Sequence, residues 1–187
     1  MIPVVSGGTA VVPVESRVKS DFPKYWERDY INAQIDRVSN PGHKVFLTFL
    51  WMSGLRVSEA VGLRKKDLDF NNYVMIVRWL KNRKYNNRVV PIHPLLKDLL
   101  QLYTSPMNLD DRIFPFTRIR AYQITKKALN GSPHQLRHSF AVNWLRCGGT
   151  LVTLSRILGH SNINTTLIYL RIVPIDQGKE LIQIKFR

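Results

Sequence analysis

The spacing of apolar and polar residues divides this chain into helical outer parts and a β-rich middle. Residues 1–22 show no helical period, and we interpret them as an N-terminal arm or the remnant of a linker. Beyond them, apolar side chains recur at near-helical spacing until Asn40-Pro41-Gly42, and the next two apolar stretches flank Gly54. This pattern predicts three helices, over residues 21–38, 43–53 and 56–62.

The middle of the chain changes to a strand-like pattern. Residues 73–80 are rich in β-branched and aromatic side chains, and residues 88–92 form a shorter run in which Pro91 favours an edge position. The asparagine-rich segment 81–87 between them predicts the turn of a β-hairpin. Periodic segments then predict helices over residues 95–103, 118–129, 133–147, 152–158 and 164–172. The fold class is therefore α+β, mainly α-helical, with one small antiparallel β-sheet or hairpin.

The charge of the chain indicates more about its function than its overall composition does. The chain has 28 lysine and arginine residues against 13 aspartate and glutamate residues, a formal net charge of +15, which favours a polyanionic partner such as nucleic acid. Cys147 is the only cysteine, which excludes an intramolecular disulfide. No apolar run approaches the roughly 20 residues that cross a bilayer. We therefore expect a protein of the cytoplasm, nucleoid-associated or encoded by a virus or mobile element, without a membrane partner.

The candidate chemistry begins with the segment Ser132-Pro-His-Gln-Leu-Arg-His138. Pro133 suits the first turn of a helix and Ser132 suits its N-cap, so His134, Arg137 and His138 fall on the first turns, where an anion is favoured. Two histidines four residues apart also suit zinc, but no third strong ligand stands nearby. Alone, this segment is equally compatible with histidines that merely cap a helix.

Other motifs resolve the ambiguity. Together, and in this order, they resemble the tyrosine recombinase (phage integrase) family: Gly54-Leu55-Arg56 followed by Glu59, His134-x-Leu-Arg-His138, Leu158-Gly159-His160, and Tyr169 nine residues later. Tyr169 by itself would be better explained as a core aromatic residue. The resemblance covers about residues 24–172 and implies a catalytic domain over residues 23–172, with residues 173–187 as a C-terminal tail. The family's separate N-terminal DNA-binding domain is not expected within this chain.

The chemistry of a phosphodiester explains why these residue types occur together. Attack on the phosphorus builds negative charge on the non-bridging oxygens, which guanidinium groups bind through paired, charge-assisted hydrogen bonds, so Arg56 and Arg137 are the expected clamp. The resemblance implies that Tyr169 is the nucleophile and gives a 3′-phosphotyrosyl link with a free 5′-hydroxyl. We expect the same positive field to lower the pKa of Tyr169.

The resemblance also implies roles for the remaining residues. A hairpin lysine donates a proton to the leaving 5′-oxygen, and we choose Lys81, with Lys84 as the alternative. His134 assists proton transfer at the tyrosine, and His160 donates to a non-bridging oxygen. Glu59 and His138 support the site. The reaction is expected to need no cofactor, neither metal nor ATP.

Two other functions fit parts of the sequence. Residues 153–169, with Gly159 in a turn, are also typical of a helix-turn-helix of a DNA-binding regulator. Type IB topoisomerase activity would use the same tyrosine chemistry, and only synapsis of two double-stranded DNA sites separates the two activities. By resemblance, we expect a homo-tetramer on synapsed DNA and a monomer or weak oligomer when free. The tail is expected to dock on a neighbouring protomer, with folding back in cis as the alternative.

Overall fold

A computed structural model describes residues 23–81 and 84–173 of the chain. The expected arm, and the tail from residue 174 onward, lie outside the described residues. Three helices come first: α1 (Arg28–Asp36), α2 (Pro41–Ser53) and the short α3 (Val57–Ala60). A 3₁₀ turn follows at Lys65–Asp67. The first helix starts seven residues later than the pattern predicted.

The predicted antiparallel hairpin is confirmed and belongs to a three-stranded sheet. Its strands are β1 (Leu68–Asp69), β2 (Val74–Lys81) and β3 (Lys84–Pro91), in the order β1-β2-β3, so β3 is an edge strand as Pro91 indicated. The predicted extent of the turn was wrong. Residues 84–87 pair with β2 as far as Lys81 opposite Lys84, because ladder pairing outweighs the turn preference of asparagine.

Five helices complete the described chain, and the predicted fold class is confirmed. They are α4 (Pro94–Thr104), α5 (Arg118–Leu129), α6 (Pro133–Arg146), α7 (Leu151–Leu158) and α8 (Asn164–Leu167). The helix predicted over residues 164–172 is α-helical for one turn only and continues as a 3₁₀ turn, Ile168–Arg171. This segment is therefore shorter and tighter than the recognition helix of the alternative interpretation.

The core has two parts that share α6. The larger cluster surrounds α2, where Phe46 and Phe49 are fully buried against Phe114 from the loop before α5. The smaller cluster lies between α6, α7 and the last 3₁₀ turn, and it includes Leu158 and Tyr169. Because α6 packs against both clusters, the residues on its first turns are held between rigid surroundings. Within the two described ranges, no helix is both long and apolar enough to cross a bilayer.

Candidate active site

Arg56 is placed by the sharp end of α2. Gly54 adopts the left-handed conformation (φ 63°) and its N–H donates to Leu50 O, so the chain turns abruptly into α3 with Arg56 as N-cap. The backbone N–H of Arg56 donates to Glu59 Oε2 at 2.9 Å, and its Nη1 donates to Glu59 Oε1 at 3.2 Å. The Arg56 side chain remains 40% exposed. Its guanidinium is thus fixed on one side and open to solvent on the other.

Arg137 is the most deeply buried cation of the site. Ser132 is the N-cap of α6 as predicted, and its N–H donates to Gln135 Oε1 at 2.9 Å. One turn on, Arg137 donates from Nη1 to Gly54 O at 2.9 Å and from Nη2 to Leu158 O at 2.6 Å. Burial, and then the charge of Arg56, lower the pKa of Arg137 to about 10, so it stays protonated at neutral pH.

The turn after α7 connects both arginines to His160. Leu158 O accepts from Arg137 and also from Arg56 Nη1, at 3.3 Å, and Gly159 closes the helix with φ 65°. Arg137 Nη2 lies 3.2 Å from His160 Nε2. A guanidinium can only donate, so Nε2 accepts and Nδ1 carries the proton, which it donates to Thr166 Oγ1 at 2.8 Å.

His160 is therefore neutral in this state. Burial and the charges of Arg137 and Arg56 lower its pKa to about 4. With Nε2 as an acceptor, His160 does not present the donor that the resemblance implies for a phosphate oxygen. A proton on Nε2, gained by protonation or by a change of tautomer, is required before His160 can take that role.

Tyr169 is a buried residue, 3% exposed, and its hydroxyl lies 2.7 Å from His138 Nδ1. His138 in turn packs edge-on against His134, with ring centroids 4.3 Å apart. Burial raises the pKa of Tyr169 above its ordinary value, and the charge of Arg137 offsets this only in part. The expectation of a lowered pKa is therefore wrong for this state, because desolvation outweighs the positive field.

The histidine that contacts the phenol is His138, not His134. Burial, followed by the charges of His134 and Arg137, lowers the pKa of His138 to about 4, so its imidazole is neutral and can accept a hydrogen bond from the phenol. Burial also lowers the pKa of His134, together with the charges of Arg137 and Arg56. The sequence interpretation expected His138 only to support its neighbours. The structure adds a direct contact between His138 and the Tyr169 hydroxyl.

An open cavity of about 880 Å³ lies over the site. The clamp residues Arg56 and Arg137 line it, together with His134 and Ser132 at the start of α6. The exposed face of α5 forms its other wall, where Arg118 adds a further positive charge. The arrangement is suited to an anion because donors from a helix N-terminus and two guanidinium groups converge on one space.

The two candidate lysines stand at one end of the hairpin. Lys81 is the last residue of β2 and Lys84 the first of β3, and they are paired across the ladder. Their side chains lie outside what the structure describes. The pairing does not separate the two candidates, since both belong to the same pair.

One buried charge at the site was not singled out from the sequence. Arg88, in β3, has a side chain that is 9% exposed, and it donates to both carboxylate oxygens of Glu59 at 2.8 and 2.9 Å. The strand pattern carries the signal, because Arg88 stands two residues before the buried Val90, where an apolar residue would be expected. Burial raises the pKa of Glu59, but Arg88 and then Arg56 outweigh it, and the pKa lies below its ordinary value.

Comparison with known proteins identifies relatives of the chain. The family model described as phage integrase family matches residues 28–174. The tyrosine recombinase XerA of Pyrococcus horikoshii is 32% identical over an alignment of 174 residues, which covers 83% of this chain and 59% of the relative. The chain thus spans about three fifths of the length of the curated recombinases that it matches.

Two solved structures share the fold. The XerH site-specific recombinase, bound to its difH substrate in a pre-cleavage complex, has a TM-score of 0.69 at 21% identity, covering 89% of this chain and 55% of that one. The catalytic domain of bacteriophage HP1 integrase has a TM-score of 0.67 at 24% identity, covering 86% of this chain and 94% of that one.

Proposed function

Because the chain belongs to the phage integrase family, we propose that it is the catalytic domain of a site-specific recombinase that cuts and rejoins double-stranded DNA. Tyr169 is the nucleophile. Its oxygen attacks the scissile phosphorus, the bond to the 5′-oxygen breaks, and a 3′-phosphotyrosyl link holds the strand until a 5′-hydroxyl reverses the reaction. The link conserves the energy of the broken bond, so the reaction needs neither ATP nor a metal ion.

The observation that carries this proposal is the fixed pair of guanidinium groups that lines the open cavity. Arg56 and Arg137 share Leu158 O as an acceptor, and both line the open cavity. Such preorganised donors stabilise the charge that develops on the non-bridging oxygens without reorganising during the reaction. Removal of one donor of this kind typically costs about 2.7 to 4 kcal/mol of barrier.

The hydrogen bond of the Tyr169 hydroxyl supports a route for the phenol proton. We propose that the phenol proton leaves through His138, whose neutral Nδ1 already contacts the hydroxyl, and that His134 contacts the phosphate from the cavity wall. A hairpin lysine, Lys81 or Lys84, protonates the departing 5′-oxygen. His160 donates to a non-bridging oxygen after it gains a proton on Nε2.

The burial of Tyr169 indicates a resting state. A phenol that is 3% exposed is not positioned to reach a bound phosphate, so we propose that DNA binding shifts the last 3₁₀ turn (Ile168–Arg171) toward the cavity. This turn and the one-turn helix α8 before it contribute few backbone hydrogen bonds of their own, so the segment can move at a low cost in free energy.

The extent of the domain and its assembly are further proposals. We place the catalytic domain at residues 23–172 and propose that the tail, residues 173–187, docks on a neighbouring protomer in a tetramer on synapsed DNA. Deletion of the tail after Val173, a residue buried in the smaller core cluster, is expected to abolish cooperative assembly on DNA. Unchanged cooperativity would contradict docking in trans.

The nucleophile is tested with Tyr169→Phe. This variant removes one hydroxyl and is expected to bind DNA yet form no covalent adduct on a nicked suicide substrate, whereas the unchanged protein leaves a denaturant-stable, protease-sensitive adduct. Arg56→Ala and Arg137→Ala are expected to slow adduct formation strongly and to weaken DNA binding only modestly, because affinity is spread over many phosphate contacts. An adduct formed by the Phe variant would refute the assignment.

A further inference from the structure

Arg88 joins three parts of the site that are distant in sequence. It lies in β3 opposite Val77 and donates to Glu59 in α3, and its Nε donates to Ile157 O at the end of α7, at 3.0 Å. Among the described residues, those that line the open cavity do not include Arg88. We therefore expect Arg88 to affect the chemistry through the residues that it contacts.

The carboxylate of Glu59 is divided between two arginines. Oε1 accepts from Nη1 of both Arg56 and Arg88, and Oε2 accepts from Arg88 Nη2 and from the backbone N–H of Arg56. The side chain of Glu59 is 3% exposed. A buried ion pair is weak evidence for stability, because desolvation offsets much of the Coulombic attraction. The ion pair between Arg88 and Glu59 matters through its geometry, because two parallel hydrogen bonds fix both the distance and the orientation of the two side chains.

The turn that carries the shared acceptor rests directly on Arg88. A Cβ atom built on Gly159 would lie 2.9 Å from Arg88 Nη1 and 3.0 Å from its Cζ. Arg88 also bonds the carbonyl of Ile157, one residue before Leu158. The guanidinium of Arg88 is thus packed against both neighbours of the carbonyl that orients Arg56 and Arg137.

Arg88 also belongs to the β-hairpin that carries the two candidate lysines. β3 runs from Lys84 to Pro91, so Arg88 stands four residues along the strand from Lys84, which is paired with Lys81. Within the described part of the chain, β3 is an edge strand that pairs with β2 alone. Its attachment to Glu59 is a second fixed point, and it ties the paired lysines to the frame that holds the clamp.

From this geometry we propose that Arg88 is a positioning residue that sets the hairpin lysine against the scissile phosphate. The proposal rests on the proposed function. In the step concerned, Tyr169 oxygen forms a bond to phosphorus, the bond from phosphorus to the 5′-oxygen breaks, and the lysine gives its proton to that oxygen. Loss of Arg88 leaves the lysine and the clamp arginines in the chain but loosens the lysine relative to the phosphate, where a displacement of about 1 Å costs on the order of 100-fold in rate.

The test compares two leaving groups. One nicked suicide substrate carries the natural 5′-oxygen, and the other carries sulfur at that bridging position. An alcohol must be protonated as it leaves, whereas a thiolate leaves without a proton because a thiol has a pKa of about 8.5. Arg88→Met should slow single-turnover adduct formation roughly 10- to 100-fold on the oxygen substrate, and sulfur should return the rate to within about threefold of the unchanged protein.

Three further variants calibrate the result. Lys81→Ala and Lys84→Ala identify the proton donor, because only the variant that lacks it is slow with oxygen and restored by sulfur. Arg78→Met is the matched control, since Arg78 lies in β2 of the same hairpin but pairs with Asp67, at 2.9 Å, away from Glu59. It is expected to stay within about threefold of the unchanged protein on both substrates.

The outcomes separate the two proposals. If the unchanged protein forms no adduct on either substrate, the proposed function fails. If one lysine variant is restored by sulfur and Arg88→Met stays slow, Arg88 does not act through the lysine and the inference is overturned. Circular dichroism checks the fold of each variant, and Arg88→Lys, which keeps the charge but loses the bidentate geometry, carries the same comparison if Arg88→Met does not fold.

Discussion

The Gly54→Ala substitution tests how the end of α2 supports the site. Gly54 has a φ of 63°, and a Cβ atom there would lie 2.7 Å from Cε1 and 2.9 Å from Cγ of Phe140 in α6. Left-handed backbone costs a residue with a side chain about 1–2 kcal/mol, and overpacking of a dense core costs about 1–3 kcal/mol. The free energy of unfolding should therefore fall by about 2–5 kcal/mol.

The chain offers a matched control for the backbone contribution. Gly148 also has a positive φ, 82°, but a Cβ atom there meets nothing within 4 Å. Gly148→Ala should therefore cost only the backbone strain, about 1–2 kcal/mol. Urea unfolding followed by tryptophan fluorescence measures both values, and the difference between them isolates the contact with Phe140.

The same substitution should also affect catalysis. Gly54 O accepts from Arg137 Nη1, so a displaced turn moves a clamp residue, and adduct formation should fall by roughly 10- to 100-fold while Gly148→Ala leaves it unchanged. In a Phe140→Ala background, the stability cost of Gly54→Ala should drop to that of Gly148→Ala. Equal stability losses for the two glycine variants in the unchanged background would refute this account of the turn.

Two other predictions concern charge. Glu59→Gln should lower the free energy of unfolding by about 3–5 kcal/mol because it removes one partner of the buried ion pair with Arg88. Asp110→Asn, at a carboxylate whose side chain is 74% exposed, should cost less than about 1 kcal/mol. Similar urea midpoints for the two variants would contradict the first value. The pKa values of His138 and His160 are lowered to about 4, so the folded protein resists protonation that the unfolded chain accepts near pH 6.5. Stability should be complete above about pH 6.5 and fall between about pH 6.5 and 4, and His138→Asn with His160→Asn should flatten this dependence in urea titrations.

Much of the fold follows from local patterns in the sequence. The helix at Arg118–Leu129 has the predicted bounds, because Thr117 caps its start and Asn130 adopts the left-handed conformation at its end. The hairpin turn was misjudged because pairing between whole strands decides where a turn begins. β1 was missed because two residues are too few to show a period.

The candidate site, like the fold, could be predicted only in part from the sequence. The resemblance singled out Arg56, Arg137, His160 and Tyr169. The structure brings the first three together at the Leu158–His160 turn, whereas the hydroxyl of Tyr169 contacts His138. The protonation states were not accessible from the sequence, because they depend on burial that only the packed structure defines. The pKa of Tyr169 and the contact of His138 with its hydroxyl are examples. Arg88 was overlooked because its partner, Glu59, lies 29 residues away in another element.

The carbonyl of Leu158 limits how this protein can be redesigned. Both clamp arginines donate to that one oxygen, so their spacing is a property of a single peptide plane rather than of two independent side chains. A change of register at the end of α7 would displace both donors at once and could not be corrected by adjusting either arginine alone. Transplanting this chemistry to another scaffold therefore requires the turn to be moved as a unit with the two arginines.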